Sequence, residues 1–248
     1  MRAFRPDICL EFFIKILPYL RVTFTYVFFS LLFGFLLGVL IASMRLSKSK
    51  VLGKIAGLYV TVMRCVPSVV LLFLIYYGLP MVLERSFGIS MKGMDTIIFV
   101  IVTFSLFLGA STSEIMRSAY LSVNKGQYEA AAMSGLSGFD AFRRIMLPQA
   151  FYAALPNVGN IVIYMIKEGA LAYTIGLQDV LGRGYYLNGL QANVYNMETY
   201  VALALIYWPC TMVLERIFAY VEKRFSLSHR IERKEAKVEK LRKAGEAS

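Results

Sequence analysis

Histidine occurs once and cysteine three times in the 248 residues, too sparsely for most metal or redox chemistry. Cys9, Cys65 and Cys210 stand far apart, and no CxxC or Cys/His cluster occurs. Neither a metal centre nor a disulfide framework is therefore expected. His229 sits in a charged tail and reads as a solvated surface residue. No Gly-x-x-x-x-Gly-Lys-Ser/Thr loop is present, so any nucleotide that drives this protein must be held by another chain. Gly182-Arg183-Gly184 is too short for a phosphate cradle and reads as a turn. The apolar runs contain no nucleophile or acid–base pair at motif spacing, so no catalytic residue is assigned. There is no internal repeat of fixed period. Charge is scarce as well: Asp, Glu, Lys and Arg make up 17% of the chain, against about 25% in an ordinary soluble protein.

What fills the space is apolar. Hydrophobic residues reach 58%, which excludes disorder and is more than a soluble domain can hide. Val22 to Met44 is 23 residues without a charge; as a helix it measures about 34 Å, enough for a hydrocarbon core. It is too long for a secretory signal and lacks a cleavage pattern. Further runs predict spans at 55–83, 96–116, 150–166 and 199–221, the second broken only by Arg64. The expected fold is thus an all-α integral membrane protein with about five transmembrane helices. Residues 1–21 form an external or interfacial segment, 22–221 the membrane domain, and 222–248 a charged tail. The runs are too long and too continuous for strands of a barrel.

The net charge of +11 raises nucleic-acid binding as a rival reading, and the position of the charges decides against it. Loop 45–54, segment 114–148 and the tail from Arg216 hold 18 of the 27 Lys and Arg. With five spans these three regions share one side, which the positive-inside rule makes cytoplasmic. The N-terminus is then outside and the C-terminus cytoplasmic. The tail from Glu222 carries nine basic and five acidic residues, with weak helical periodicity at Ile231, Val238 and Leu241. It reads as a solvated helix, with attraction to anionic lipid or a partner protein as the functional option.

The informative polar segment is 125–148. Tyr128 to Ser134 is rich in helix formers. Gly135 follows where a left-handed stop favours glycine. Ser137 and Asp140 are spaced as an N-terminal cap, and Phe139, Phe142, Ile145 and Met146 fall on one helical face. Two short helices with a sharp turn are expected on the cytoplasmic side. The apolar ridge suits either a re-entrant hairpin packed on its own bundle or a partner protein.

The order of residues here resembles the cytoplasmic loop of ABC importer permeases: Glu129-Ala130-Ala131, then Gly135, Ile145 and Leu147-Pro148 at that family's spacing. Arg64-Cys65-Val66-Pro67, Tyr76-Tyr77-Gly78-Leu79-Pro80, Ala154-Leu155-Pro156-Asn157-Val158-Gly159-Asn160 and Lys167-Glu168-Gly169-Ala170-Leu171 are similar to segments of the polar amino-acid uptake branch, although Cys65-Val66 and Gly169-Ala170 depart from its pattern. The resemblance implies a permease in a prokaryotic inner membrane. Its implied partners are ABC ATPase subunits, a second permease subunit (identical or paralogous), an extracytoplasmic solute-binding protein and the lipid bilayer. It implies no cofactor on this chain, with ATP and Mg²⁺ held by the ATPase partners. It also implies a coupling loop of Glu129, Ala130, Ala131, Gly135, Phe139, Phe142, Ile145, Leu147 and Pro148. Permeases for peptides, opine-like solutes or other amino-acid derivatives are the alternative, followed by an ATP-independent secondary transporter.

Charges within apolar spans are costly and mark either a wet path or an ordering pair. Arg64, Pro67, Glu114, Asn160, Lys167 and Glu168 are the candidate substrate-pathway residues. Arg64 lies either deep in a span or at the interface, depending on whether the helix continues through Cys65. Lys167-Glu168 reads equally as a gate for a zwitterion or as a pair that orders the bundle.

Overall fold

A computed structural model describes residues 3–225; the expectations for His229, Ile231, Val238 and Leu241 lie outside the described residues. The described residues form helices and the loops between them, with no strand. Its α-helices are α1 (Pro6–Ile16), α2 (Leu20–Leu46), α3 (Lys50–Cys65), α4 (Ser68–Phe73), α5 (Leu79–Phe87), α6 (Thr96–Ser122), α7 (Lys125–Met133), α8 (Gly138–Ala141), α9 (Leu147–Glu168), α10 (Val180–Leu190) and α11 (Asn196–Phe225). π-helical segments occupy Leu74–Gly78 and Phe142–Met146, and 3₁₀ segments Leu17–Tyr19 and Gly169–Ile175.

Among the described residues four stretches are long and apolar enough to cross a membrane: Pro6–Leu46, Ser68–Phe87, Thr96–Ser122 and Asn196–Arg224. The span expected at 150–166 falls on the 22-residue helix α9, which is not among these four; its Pro148, Gln149, Pro156, Asn157 and Asn160 lower its hydropathy. The run expected at 55–83 is not one helix. α3 stops at Cys65, Val66 and Pro67 are extended (ψ 127° and 138°), and α4 starts at Ser68. Pro67 has no N–H for the Met63 carbonyl and pushes the residue before it out of the helical region. Gly182-Arg183-Gly184 is not a turn but lies inside α10. Its glycines serve close packing: a Cβ on Gly184 would sit 3.1 Å from Leu203, and one on Gly182 would run into the Leu177 carbonyl.

The chain divides into two compact units. Among the described residues the first comprises 3–114 and 160–212, the second 115–159 and 213–225. In the first unit the N-terminal segment does more than lie along an interface. Cys9, Phe12 and Ile16 of α1 are buried with Val180 and Leu187 of α10 and Ala202, Leu203 and Ile206 of α11. Ile41 of α2, Ala56 and Val60 of α3 and Ala110 of α6 make another cluster, and the Tyr59 hydroxyl donates to the Leu106 carbonyl at 2.5 Å. α2 and α6 approach backbone to backbone. A Cβ on Gly34 would stand 2.6 Å from Leu108 Cβ, and one on Gly38 would be 2.9 Å from Thr112 Cβ. The Thr112 hydroxyl donates to the Gly34 carbonyl at 3.1 Å. Small residues that let backbones meet are how helices associate in lipid, where burial gives little drive. The opposite face of α2, with Phe24, Phe28, Leu32, Phe35 and Leu36, is exposed, as a lipid-facing surface requires.

In the second unit Ala119 and Val123 pack with Met146 and Ala150. Gly159 lies against the Phe218 ring.

Candidate functional site

Two regions bear on function, one in each unit. In the second unit α7 begins with Asn124, whose side chain accepts from the Gly126 N–H at 2.8 Å. The helix ends in a two-bond lock, with the Leu136 N–H donating to the Ala131 carbonyl (3.1 Å) and the Gly135 N–H to the Ala132 carbonyl (3.0 Å). This pattern needs a left-handed residue after the cap, and Gly135 has φ +75°. Ser137 then caps α8: its Oγ accepts from the Asp140 N–H at 3.1 Å and donates to Asp140 Oδ2 at 2.7 Å. The Gln149 amide donates to the Ile145 carbonyl (2.9 Å) and to Gln127 Oε1 (3.2 Å), tying the start of α9 to α7.

The loop is therefore braced at each turn, and its side chains divide. Ala131, Ala141 and Met146 are buried; Ile145 and Pro148 are half-buried; Glu129, Ala130, Gly135 and Leu147 are exposed. Met133 and Phe139 are 90% and 70% exposed, so two large apolar side chains face out beside the Gly135 turn. The four residues expected on one face separate. Phe139 points out, the Phe142 ring lies 6.1 Å from that of Tyr120, and Met146 enters the core. The cause is the π segment Phe142–Met146, which adds a residue to the turn and breaks the 3.6-residue periodicity.

In the first unit the candidate pathway residues are not one cluster. Arg64 is exposed in the last turn of α3, and Pro67 is exposed as the N-cap of α4. Beside Pro67, the Ser68 hydroxyl donates to Glu168 Oε1, so the broken helix meets the end of α9. The Tyr164 hydroxyl, one turn before Glu168, also hydrogen-bonds to its carboxylate. Lys167 and Asn160 are exposed. Glu114 instead pairs with Arg45 Nη1, joining the end of α2 to α6. After Glu168 the chain tightens into the 3₁₀ segment and turns at Gly176, φ +86°. Ser68 and Arg45 were not singled out from sequence. Ser68 had one signal, its place directly after the helix-breaking Pro67.

Among the described residues no three His, Cys, Asp or Glu side chains cluster as metal ligands. Residues 34–227 match the model of binding-protein-dependent transport system inner membrane components. The chain belongs to that family. The L-cystine transport system permease protein TcyL of Bacillus subtilis is 39% identical over 223 residues, covering 90% of this chain and 92% of that one. The histidine/lysine/arginine/ornithine transport system permease protein HisQ of Salmonella typhimurium is 34% identical, covering 80% and 87%. A chain in the crystal structure of an amino acid ABC transporter with histidines superposes with a TM-score of 0.77 at 28% identity, covering 90% of this permease and all of that chain. This permease is accordingly a multi-pass inner-membrane subunit of a transport system that depends on a solute-binding protein and an ATPase.

Proposed function

We propose that this permease carries a polar amino acid, delivered from outside by a solute-binding protein, and that segment 125–148 couples it to a separate ATPase. The observation that supports this most is the pair Met133 and Phe139, held outward by a loop braced at Gly135, Ser137 and Gln149. Large apolar side chains held outward on a braced loop suit a groove on a protein partner. ATP and Mg²⁺ belong to that partner. α9 is the fifth span, the N-terminus is outside, the C-terminus is cytoplasmic, and a second permease subunit completes the path. Arg64 before the break at Pro67 and the Ser68–Glu168 contact after it put a basic and an acidic group on either side of the break, which suits the ammonium and carboxylate of an amino acid. The named substrates of the similar proteins, cystine and the basic amino acids, are the first to test.

The experiment is affinity purification of the full chain expressed with its ATPase, followed by uptake into proteoliposomes loaded with ATP. Wild type should retain the ATPase and import an amino acid only when the binding protein is present. M133D and F139D should lose most of the ATPase while remaining in the membrane. Full retention by both variants refutes the docking role, and uptake without binding protein or ATP refutes the importer.

A further inference from the structure

Asp179 is a charge-bearing residue that none of the above uses. Its side chain is 0% exposed. It caps α10, with Oδ1 accepting from the Gly182 N–H at 2.8 Å. Its own amide and that of Leu181 also act on the carboxylate, and the Tyr26 hydroxyl makes a longer contact to Oδ2, 3.4 Å; Tyr26 is also 0% exposed. Beside this pair, Thr23 Oγ1 accepts from the Val180 N–H at 3.4 Å. From α11, Tyr207 brings a buried hydroxyl that has no hydrogen-bond partner. Tyr207 faces the Leu181 amide and lies within electrostatic range of Asp179.

Among the described residues, the groups that act on Asp179 are amides and tyrosine hydroxyls rather than a cation. α2 contributes Tyr26, and α11 contributes Tyr207 with Cys210 near it. Tyr173 of the 3₁₀ segment stacks on Tyr185, and Cys9 of α1 lies near Glu198. Arg183, one turn along α10, places its guanidinium over Tyr19 (4.9 Å) and Tyr186 (5.0 Å) and donates to Gln178. An ionised carboxylate wholly out of water, held by the amides at the start of one helix and a long tyrosine contact but with no cation among the groups that act on it, is poorly compensated. A neutral acid removes that difficulty. It keeps Oδ1 as an acceptor for Gly182 and turns Oδ2 into a donor for a tyrosine hydroxyl, which gives the otherwise unpartnered Tyr207 oxygen a role.

We propose that Asp179 carries a proton in the folded permease, and that Asp179, Tyr26 and Tyr207 form a buried proton-binding site that holds α10 to α2 and α11. One proton is taken from water and no bond of the chain breaks. Burial pushes the carboxyl from its ordinary 3.8 up to about 7, so the site fills and empties near neutrality. Because the folded pKa is the higher one, the folded state binds the extra proton between these values. The hold on α10 is therefore complete at low pH, weakens as pH rises through this window, and stays at its weakest above about 7.

The test is infrared titration of the full-length permease in lipid nanodiscs, following the carbonyl stretch of protonated carboxyl groups, alongside thermal unfolding at each pH. The wild type should keep a protonated-carboxyl band at pH 6 that is half lost near pH 7, and its unfolding temperature should fall over the same range. D179N should lose both the band and the fall. Y207F, which removes the acceptor, should move the midpoint to lower pH. The absence of a protonated-carboxyl band from wild type at pH 6 overturns the proposal without recourse to any variant. Persistence of the band in D179N overturns it equally, and an unchanged midpoint in Y207F overturns the part given to Tyr207.

Discussion

Replacing Gly38 by alanine adds a single methyl group at the α2–α6 crossing, and the structure says what it meets. The new Cβ would stand 2.9 Å from Thr112 Cβ and 3.2 Å from the Ser113 backbone nitrogen. Ordinary contacts need roughly 3.5–4.0 Å between carbon atoms. No rotamer change relieves a clash between two Cβ atoms, so the helices must part. Overpacking of this kind costs about 1–3 kcal/mol. Parting the helices also strains the hydrogen bond from Thr112 to the Gly34 carbonyl, worth about 0.5–1.5 kcal/mol. Helix propensity returns up to about 1 kcal/mol. The net expectation for G38A is a loss of about 1–3 kcal/mol. Gly57 is the internal control, since it lies inside α3 with nothing within 4 Å of its added Cβ. G57A should gain up to about 1 kcal/mol by propensity alone. Reversible denaturant unfolding in mixed micelles should separate the two variants by about 1–4 kcal/mol. Equal stabilities would refute the claim that the α2–α6 approach depends on a missing side chain.

Two further outcomes follow from the loop and the break. G135V should cost about 1–2 kcal/mol, because the left-handed conformation at φ +75° is penalised although nothing crowds the position. G135N should be milder, and only the valine variant should lose substrate-stimulated ATPase activity while staying in the membrane; full-rate coupled transport by G135V removes this turn from coupling. E168Q keeps an oxygen acceptor for Ser68 but loses the charge, so the half-saturating concentration for uptake should rise about tenfold, roughly 1.4 kcal/mol, at unchanged expression. Unchanged uptake kinetics would take Glu168 out of the pathway.

The features readable in the chain beforehand were those fixed by local rules. The caps at Ser137 and the left-handed turn at Gly135 depend on residues within five positions of each other, and the apolar runs depend on composition over about twenty. What escaped depends on distant neighbours. Gly182 and Gly184 look like turn residues in a string of letters; only the backbone at Leu177 and the Leu203 side chain explain them as helix positions. Asp179 could have been read as a helix cap, but not as a buried one, because Tyr26 is 153 positions away. Glu114 and Glu168 both stood as charges in apolar surroundings, and nothing local distinguished the one paired with Arg45 from the one held by Ser68. The π segment at Phe142–Met146 left no signal, since one extra residue in a turn looks like an ordinary helix until its two ends are compared.

The break between α3 and α4 has an electrical consequence. The Val66 N–H still closes on the Val62 carbonyl, but Pro67 offers nothing to Met63, so α3 ends in outward carbonyl groups. α4 opens at Ser68 with amide N–H groups that have no helical acceptor behind them. A helix end of each kind carries about half an elementary charge, negative at α3 and positive at α4. Backbone dipoles of opposite sign thus lie only two residues apart, next to the Ser68–Glu168 contact. Unlike Asp179, they hold no proton, so this field persists at every pH at which the fold survives.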